Sequence, residues 1–258
     1  MKPLKRISAL ALTCSLGALN FTPSAVADNH DALKAKLEAA MAADIRTEAE
    51  RERDRNRKPI ETLSFFGLED DMKVVELIPG GGWYTKLLAP VLADNGQLYV
   101  AFGTSRVESH LIGKPGFENV KVLGKDAVLG PAKDSPLYAA SNTDLDVSNV
   151  DIIFTFRNYH NFDTASRANI NKSVYKALKK GGIYALVDHT RRHMQETDNE
   201  NRRRFDPVLA IKEIQDAGFE LVDYSDLHYR ADDELRFEVG RRSVAGNTDR
   251  WTLKFRKP

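Results

Sequence analysis

The stretch VVELIPGGGWYTKLLAPVL, residues 74–92, joins a strand pattern to a helix pattern through a glycine-rich turn. An apolar run carries Glu76, turns through Pro79 and three glycines at 80–82, and resumes with helical periodicity. Such a junction gathers unpaired backbone N–H groups and the positive end of a helix dipole, and its glycines allow close approach of a ligand. The turn therefore predicts a site for an anion or a polar cofactor; the other interpretation is a turn of purely geometric origin.

The spacing within the turn excludes two common nucleotide-binding motifs. A dinucleotide site needs Gly-x-Gly-x-x-Gly, whereas Trp83, Tyr84 and Thr85 follow three successive glycines here. A P-loop needs Gly-Lys-Ser or Gly-Lys-Thr, and neither follows the turn. What remains is an acid, a tight glycine turn and a helix.

A regular alternation of short apolar runs with helical segments surrounds this turn. The first, fourth and fifth runs are almost entirely apolar, which is typical of strands covered by helices on both faces. No helical pattern separates the last two runs, which predicts a closing antiparallel hairpin. The expected fold is an α/β, Rossmann-like, doubly wound seven-stranded sheet. Strands are predicted at 73–78, 96–102, 119–123, 150–156, 182–188, 219–227 and 249–257, and helices at about 83–94, 164–180 and 204–217.

Residues 1–27 have the pattern of a secretory signal peptide. Lys2, Lys5 and Arg6 precede the apolar run ISALALTCSLGAL, and the small-residue sequence AVA follows at 25–27. The run is shorter than the roughly 20 residues that span a bilayer, and no twin-arginine pair precedes it. We expect a Sec-type signal and a periplasmic or secreted protein without a membrane span.

Several chemistries and partners are not expected from the composition. The single cysteine, Cys14, lies in the signal segment, which leaves no disulfide or thiolate nucleophile in the mature chain. His189 and His193 are four residues apart but lack the glutamate of the zinc-protease motif, so no metal site is predicted. The formal net charge is +1, and no aromatic residues interleave with the arginines. Nucleic acid is therefore not an expected partner.

Residues 28–59 are predicted to form a cover helix in front of one large domain, residues 60–258. Leu33, Leu37 and Met41 are four residues apart, and the charge run RTEAERERDRNRK ends at Pro59. One interpretation of the run is a solvated helix face with paired charges. The alternative is that its last charged residues, Arg53, Asp54, Arg57 and Lys58, cover a pocket.

The order of the segments resembles that of the class I S-adenosylmethionine-dependent methyltransferases. The segments that carry the resemblance are VVELIPGGGWYT, NGQLYVAF, NVKVLGKDA, VDIIFTFRNYHNF and ALKKGGIYALVDH, and it covers residues 60–258. It is closest to the branch with ubiquinone and menaquinone C-methyltransferases, and closer still to a group of predicted exported methyltransferases. S-adenosylmethionine is the cofactor that this resemblance implies.

The resemblance also implies which residues hold the cofactor. Glu76 and the backbone of the glycine turn would hold the methionine part, and Asp126 matches the acid that bonds the adenine amino group. Tyr84 and Arg157 belong to the same implied site. The cofactor-binding residues expected from the sequence are thus Glu76, Gly80, Gly81, Gly82, Tyr84, Asp126 and Arg157.

Two positions depart from the family pattern. Ile78 replaces the first glycine of the turn. More seriously, Phe102 and Gly103 stand where the family places an acid that bonds both ribose hydroxyls. Each charge-assisted hydrogen bond is worth about 1.5–3 kcal/mol, so its loss weakens binding unless Glu108 or a nearby serine substitutes.

Catalytic candidates follow the fourth and fifth predicted strands. His160 is the first candidate for a base, beside Asn158, because its ordinary pKa is near neutral; otherwise it only bonds its loop. Asp188 and His189 end the fifth strand and either orient a base or cap the next turn.

The arginines after the fifth strand suit either an acidic substrate group or an exposed helical face balanced by acids. They are Arg191, Arg192, Arg202, Arg203 and Arg204. Two functions are consistent with the whole pattern. One is a methyltransferase that acts on a small molecule. The other is an exported, non-catalytic ligand-binding or regulatory protein that keeps the methyltransferase fold.

Overall fold

The computed structural model describes residues 24–258. Residues 1–23, which carry most of the predicted signal peptide, lie outside the described residues. None of the described helices combines the length and the apolar character needed to cross a bilayer.

A seven-stranded sheet organises the described chain. Its strand order is β3-β2-β1-β6-β7-β9-β8, in which β3, β2, β1, β6 and β7 are parallel and β9 is antiparallel to both its neighbours. The predicted sheet with a closing antiparallel hairpin is confirmed. The strands are β1 Lys73–Leu77, β2 Gln97–Ala101, β3 Lys121–Leu123, β4 Val128–Pro131, β5 Tyr138–Ser141, β6 Val150–Phe156, β7 Leu178–His189, β8 Glu220–Ser225 and β9 Arg250–Arg256.

Helices cover both faces of the sheet because alternate residues of each strand point to opposite sides. Val74 and Phe154 pack with α1, α4 and α5, whereas Val75 and Ile153 pack with α7 and α8. The helices are α1 Ser24–Ala42, α2 Glu48–Arg51, α3 Asp54–Arg57, α4 Pro59–Phe66, α5 Thr85–Leu92, α6 Ser105–His110, α7 Thr164–Ala177 and α8 Pro207–Asp216, with a 3₁₀ turn at Tyr159–Asn161. The loops that follow the parallel strands lie at the carboxyl edge of the sheet, next to both cores, and form the candidate site.

Two local features differ from the sequence prediction. The short strands β4 and β5 form a separate hairpin that the sequence does not predict. Its strands have four residues each, and a tertiary contact holds them, since the Ala140 N–H donates to Ser166 Oγ on α7 at 2.7 Å. Strand β7 begins at Leu178 instead of 182, because Leu178 already pairs with Val150 of β6.

The cover segment is not one helix over residues 28–58, so that prediction is wrong. Thr47 begins α2 with a capping box, in which Thr47 and Glu50 accept hydrogen bonds from each other's backbone N–H. Arg46, only 2% exposed, donates to Asp54 at 2.9 Å. The helix cap and the buried ion pair thus provide partners for charged side chains that a continuous helix would leave exposed to solvent.

This segment packs directly on the glycine turn and its helix. The Trp83 indole donates to the Glu50 carbonyl at 3.0 Å, and Lys86 Nζ lies 2.8 Å from both carboxylate oxygens of Glu50. Leu33 and Leu37 of α1 are buried in the same core as α5. The charged run, residues 46–58, therefore covers the glycine turn, and we call it the roof. The division of the chain into residues 28–59 and 60–258 stays a prediction.

Candidate functional site

The glycine turn after β1 leaves open space beside its backbone. Gly80 and Gly82 have φ values of 58° and 79°, in the region that favours glycine. A Cβ added at Gly80 or Gly81 would meet nothing within 4 Å, whereas one at Gly82 would lie 2.5 Å from Leu111 Cδ1. Gly82 is thus required by packing, and the first two glycines form a cradle that side chains would fill.

A cavity of about 190 Å³ lies beside this cradle, and we call it the glycine-turn cavity. Its wall combines the turn, the roof from α2 and α3, and the segment that follows β6. The lining residues are Glu50, Arg53, Arg57, Glu76, Leu77, Ile78, Pro79, Gly80, Gly81, Trp83, Tyr84, Phe156, Arg157 and Asn158. The structure therefore brings together most of the predicted cofactor residues, and it supports the alternative in which Arg53 and Arg57 cover a pocket.

Glu76 is the only acid of β1 and lies almost completely buried, 3% exposed. Thr85 Oγ1 donates to Glu76 Oε2 at 2.6 Å. Burial raises the pKa of Glu76 to about 7, although the Thr85 hydrogen bond and the Arg57 charge oppose the rise. A carboxyl in this state gains strongly from a cation placed in the cavity.

Three arginines, Arg53, Arg57 and Arg157, line the cavity without a carboxylate partner among the described residues. The Arg57 guanidinium lies 4.2 Å from the centre of the Trp83 ring, and burial together with the nearby Arg157 charge lowers the pKa of Arg57 well below its usual range. Arg157 has a φ of 61°, and its buried Nε has no hydrogen-bond partner. Burial is the main cause of a lowered pKa of Arg157, and the positive charge of Arg53 lowers this pKa further. An anion would satisfy these unpaired groups.

Aromatic rings support the same wall. Tyr84 stacks on Phe156 with ring centres 3.6 Å apart, and the Trp83 ring meets Tyr84 edge-on at 4.6 Å. Tyr84 is 4% exposed, and its burial raises the pKa of the phenol. The rings fix the side of the cavity next to Arg57.

A second cavity, of about 300 Å³, adjoins the first at Arg157 and is called the histidine cavity. Strand β9 runs antiparallel to β7 and pairs Arg250 with His189, so the amino end of β9 lies at the edge where β7 ends. The lining residues are Arg157, His160, Asn161, His189, Arg203, Val239, Gly240, Gly246, Thr248 and Arg250.

Asp188 organises the two histidines of this cavity. Its Oδ1 lies 2.6 Å from His160 Nδ1, and its Oδ2 accepts from the His160 backbone N–H at 2.9 Å. The His189 backbone N–H also donates to Asp188, at 2.7 Å. When Nδ1–H of His160 donates to the carboxylate, Nε2 is left free to accept a proton. The buried pair has the geometry of an oriented base.

His189 and Asn158 have different tasks. His189 Nδ1 lies 2.9 Å from Thr248 Oγ1, and burial, aided by the Arg250 charge, lowers the pKa of His189 well below its usual range. It is therefore a neutral ring at pH 7. Asn158 donates to the Ile78 and Phe156 carbonyls, each at 3.1 Å, and so ties the loop after β6 to the glycine turn.

The ribose and adenine ends of the expected site are less complete. Phe102, with a φ of 65°, is 2% exposed and covers Gly124, where an added Cβ would lie 2.7 Å from its ring. Asp126 is exposed and is not among the residues that line the glycine-turn cavity. Glu108 accepts a hydrogen bond from Thr104. The backbone beside Gly80 and Gly81 is thus open, whereas the end of β2 offers an aromatic ring in place of the expected carboxylate.

The arginine-rich segment after β7 is not the exposed helical face that one interpretation of the sequence suggests. The segment consists of turns and irregular loop, and Arg204 is fully buried, 2.8–2.9 Å from the Asp233 carboxylate oxygens. Of its five arginines, Arg203 lines the histidine cavity. The sequence reasoning missed Arg250 and Thr248; the one available signal was the antiparallel last strand, which brings its amino end to the site.

No protein-family model and no curated protein matches the sequence. A SAM-dependent methyltransferase from Aquifex aeolicus matches the fold with a TM-score of 0.55 at 15% identity, over 80% of this chain and 93% of that one. The [4+2]-cyclase SpnF matches with a TM-score of 0.53 at 13% identity, over 90% and 95%.

A third solved structure is human N-acetylserotonin methyltransferase in complex with SAM. It matches with a TM-score of 0.50 at 12% identity, over 91% of this chain and 59% of that one. Identities this low establish the fold alone, and the cyclase shows that the fold serves more than one reaction. The chain therefore has the fold of the class I S-adenosylmethionine-dependent methyltransferases.

Proposed function

We propose that this protein is an S-adenosylmethionine-dependent methyltransferase that acts on a small molecule. One observation carries the proposal: the glycine-turn cavity, with its buried Glu76, adjoins through Arg157 a second cavity that contains the His160–Asp188 pair. Ligands of open α/β sheets bind at this carboxyl edge. The arrangement supplies a cofactor cradle and an oriented base side by side.

The residues of the first cavity fit the methionine part of the cofactor. Glu76 would hold its amino group, because a cation relieves the cost of burying an ionised carboxylate. Arg57 would hold its carboxylate, because the Arg57 guanidinium lacks a carboxylate partner in the described chain. The open backbone of Gly80 and Gly81 admits the chain between these groups. When bound, the cofactor supplies an electrophilic methyl group on a sulfonium.

His160 would accept the proton that the methyl acceptor loses. Asp188 fixes the ring through Nδ1 and stabilises the imidazolium that forms, so Nε2 is the accepting atom. Asn158 holds the loop of His160 against the glycine turn at a fixed distance. These residues place the proton acceptor and the cofactor cradle in one rigid unit.

The end of β2 limits the affinity for the nucleoside part. Phe102 is packed into the apolar core with Leu129 and Ala140 and offers no hydrogen bond to ribose hydroxyls. Without the charged acceptor we expect an affinity lower by roughly 10- to 100-fold than that of a complete site. Asp126 keeps its predicted adenine contact only if the exposed loop after β3 closes on the ligand.

Calorimetry with S-adenosylmethionine and its demethylated product tests the proposal. Both compounds should bind the protein that lacks residues 1–27, and Glu76→Ala should weaken both. Glu61→Ala, which removes an exposed carboxylate on α4, is the matched control and should bind as the parent does. If neither compound binds at about millimolar concentration, the methyltransferase function is refuted. Equal binding by Glu76→Ala would refute the placement of the cofactor.

We also propose that the protein is exported, as in the exported group that the sequence resembles. The support is the cationic start, the apolar run and the AVA sequence of residues 1–27. A fusion of residues 1–40 to alkaline phosphatase, which is active only outside the cytoplasm, should be active in bacterial cells. The same fusion with Leu10 and Leu12 changed to Arg is the control. Equal activity of the two fusions would contradict export by this segment.

A further inference from the structure

The histidine cavity is lined by cations that its own wall does not neutralise. Arg157, Arg203 and Arg250 line it together with two histidines, and its lining set contains no aspartate or glutamate. Asp188, which forms the buried pair with His160, does not pair with these arginines, because its carboxylate already accepts hydrogen bonds from His160 and His189. Arg203 pairs with Glu238 outside the lining set, so the guanidinium groups of Arg157 and Arg250 face the cavity without a carboxylate partner among the residues that the structure describes.

The hydrogen bonds of these arginines are also incomplete. Arg250 is 6% exposed; one Nη donates to the Asn56 carbonyl at 2.7 Å, while its buried Nε has no partner. The buried Nε of Arg157 has none either. Within the described chain, neither guanidinium makes a salt bridge, whereas Arg203 pairs with Glu238. Unpaired buried donors are costly, so the pattern indicates a ligand that accepts from them.

The arginines also act on one another. Burial lowers the pKa of Arg250 to about 10, and the charge of Arg157 adds to this effect. Mutual repulsion of this kind is relieved when an anion binds between the two groups. A planar guanidinium fork suits the oxygens of a carboxylate or a phosphate.

We propose that the histidine cavity binds an oxyanion, a carboxylate or phosphate group, on Arg157 and Arg250, and that this group is part of the molecule to be methylated. The second clause rests on the proposed methyltransferase function; the anion site itself does not. An acceptor anchored in this way would present its reacting atom to His160, which shares the cavity wall. The substrate class is thus a small acid or phosphate ester.

Titration with small anions tests the site directly. Inorganic phosphate and malonate are the probes for the two oxyanion types, and malonamide is the neutral control. The readout is the NMR signals of the His160 and His189 rings, assigned by substitution. We expect a saturable shift with phosphate or malonate and none with malonamide. The probe that binds more tightly identifies the phosphate or the carboxylate as the natural group.

Variants separate this site from general anion binding. Arg250→Gln and Arg157→Gln should each weaken the anion by roughly tenfold or more, because each loses a charge-assisted hydrogen bond. Arg250→Lys keeps the charge and the buried stem, so it tests the fork if Arg250→Gln does not fold. Arg256→Gln, at the exposed end of the same strand, is the control and should bind as the parent does.

Each result has a defined meaning. Absence of a saturable shift, or binding that is undiminished in both the Arg250→Gln and the Arg157→Gln proteins, would overturn the anion site. A response of Trp83 fluorescence without a response of the histidine rings would also overturn it, because the anion then occupies the glycine-turn cavity. Anion binding in a protein that does not bind S-adenosylmethionine would keep the site and refute the methyltransferase function, so the two failures are distinguishable.

Discussion

Asp188 holds His160 by two hydrogen bonds, one to the ring at Nδ1 and one to the backbone N–H. The two side chains are 1% and 5% exposed and come from β7 and from the 3₁₀ turn after β6. The sequence predicts that Asp188 either orients a base or caps the next turn, and in the structure its carboxylate contacts the His160 ring and accepts from the backbone N–H groups of His160 and His189. A residue with three hydrogen-bond donors at its carboxylate is a positioning residue for the whole cavity.

Replacing Asp188 by Asn should therefore destabilise the protein and reorient His160. The amide has one acceptor oxygen, and its NH₂ group would face donors, so we expect a loss of about 2–4 kcal/mol in the free energy of unfolding, measured in urea. The His160 ring should also change tautomer, which ¹⁵N NMR detects. Asp163→Asn, at the start of α7, is the control, since Asn caps a helix as well as Asp does. An unchanged tautomer would contradict the assigned orientation.

The raised pKa of Glu76 predicts a pH dependence of stability. Burial raises this pKa from 4.5 to about 7, so between these values the folded protein holds a proton that the unfolded chain has lost. The free energy of unfolding should therefore fall as the pH rises through this window, by at most about 3 kcal/mol. Glu76→Gln removes the effect, and its stability relative to the parent should increase from about pH 5 to about pH 8.

Urea denaturation at several pH values measures this difference, with Glu61→Gln as the exposed control. A difference between Glu76→Gln and the parent that stays constant with pH would mean that Glu76 is ionised throughout. The same ionisation should tighten S-adenosylmethionine binding as the pH rises through about 7, because Glu76 then carries the charge that its amino group needs.

Replacement by alanine should change the stability of the protein far more at Gly82 than at the neighbouring Gly81. At Gly82 the new Cβ would lie 2.5 Å from Leu111 in a left-handed backbone, so Gly82→Ala should cost about 2 kcal/mol or more in stability. At Gly81 the Cβ enters open space, and the change in stability should stay within about 1 kcal/mol. Thermal unfolding measures both. Gly81→Ala should nevertheless weaken S-adenosylmethionine in calorimetry; undiminished binding would place the cofactor elsewhere.

The order of the strands and helices was predictable because most of these elements have a local pattern of apolar residues. Buried strands such as β1 and β6 are apolar runs, and the order of strands and helices limits the topology to a few choices. The positions of Glu76 and His160 follow from the same rule, since parallel strands end at one edge. For these residues the sequence predicts the position in the fold, and the structure adds the side-chain contacts.

The roof of the site and the contribution of β9 to the histidine cavity were not predictable in the same way. The charged run 46–58 is held by ion pairs within itself, such as Arg46 with Asp54, and with α5, as Glu50 with Lys86, and no periodicity encodes them. Arg250 reaches the site only because β9 inserts between β7 and β8 in antiparallel register. Phe102 replaces an expected acid, but only its burial against Gly124 shows that the space is filled.

The buried pair of Arg204 and Asp233 should support the wall of the histidine cavity. Both side chains are fully buried, and Asp233 also accepts from the backbone N–H groups of Leu235 and Asp249, at 3.0 and 2.7 Å. Asp233→Asn leaves the Arg204 charge uncompensated in the interior, so we expect a loss of about 3–5 kcal/mol in the free energy of unfolding. Glu220→Gln breaks the exposed pair with Arg256 and should cost less than about 1 kcal/mol.

Urea denaturation distinguishes these values, and the double change Arg204→Met with Asp233→Leu separates pairing from packing. Because it removes both charges, the double variant should be less destabilised than Asp233→Asn alone. Since Asp233 anchors the loop that carries Thr248, Asp233→Asn should also shift the His189 ring signal, through the contact between Thr248 Oγ1 and His189 Nδ1. A loss of stability no larger than that of Glu220→Gln would mean that solvent reaches the pair and that the wall does not depend on it.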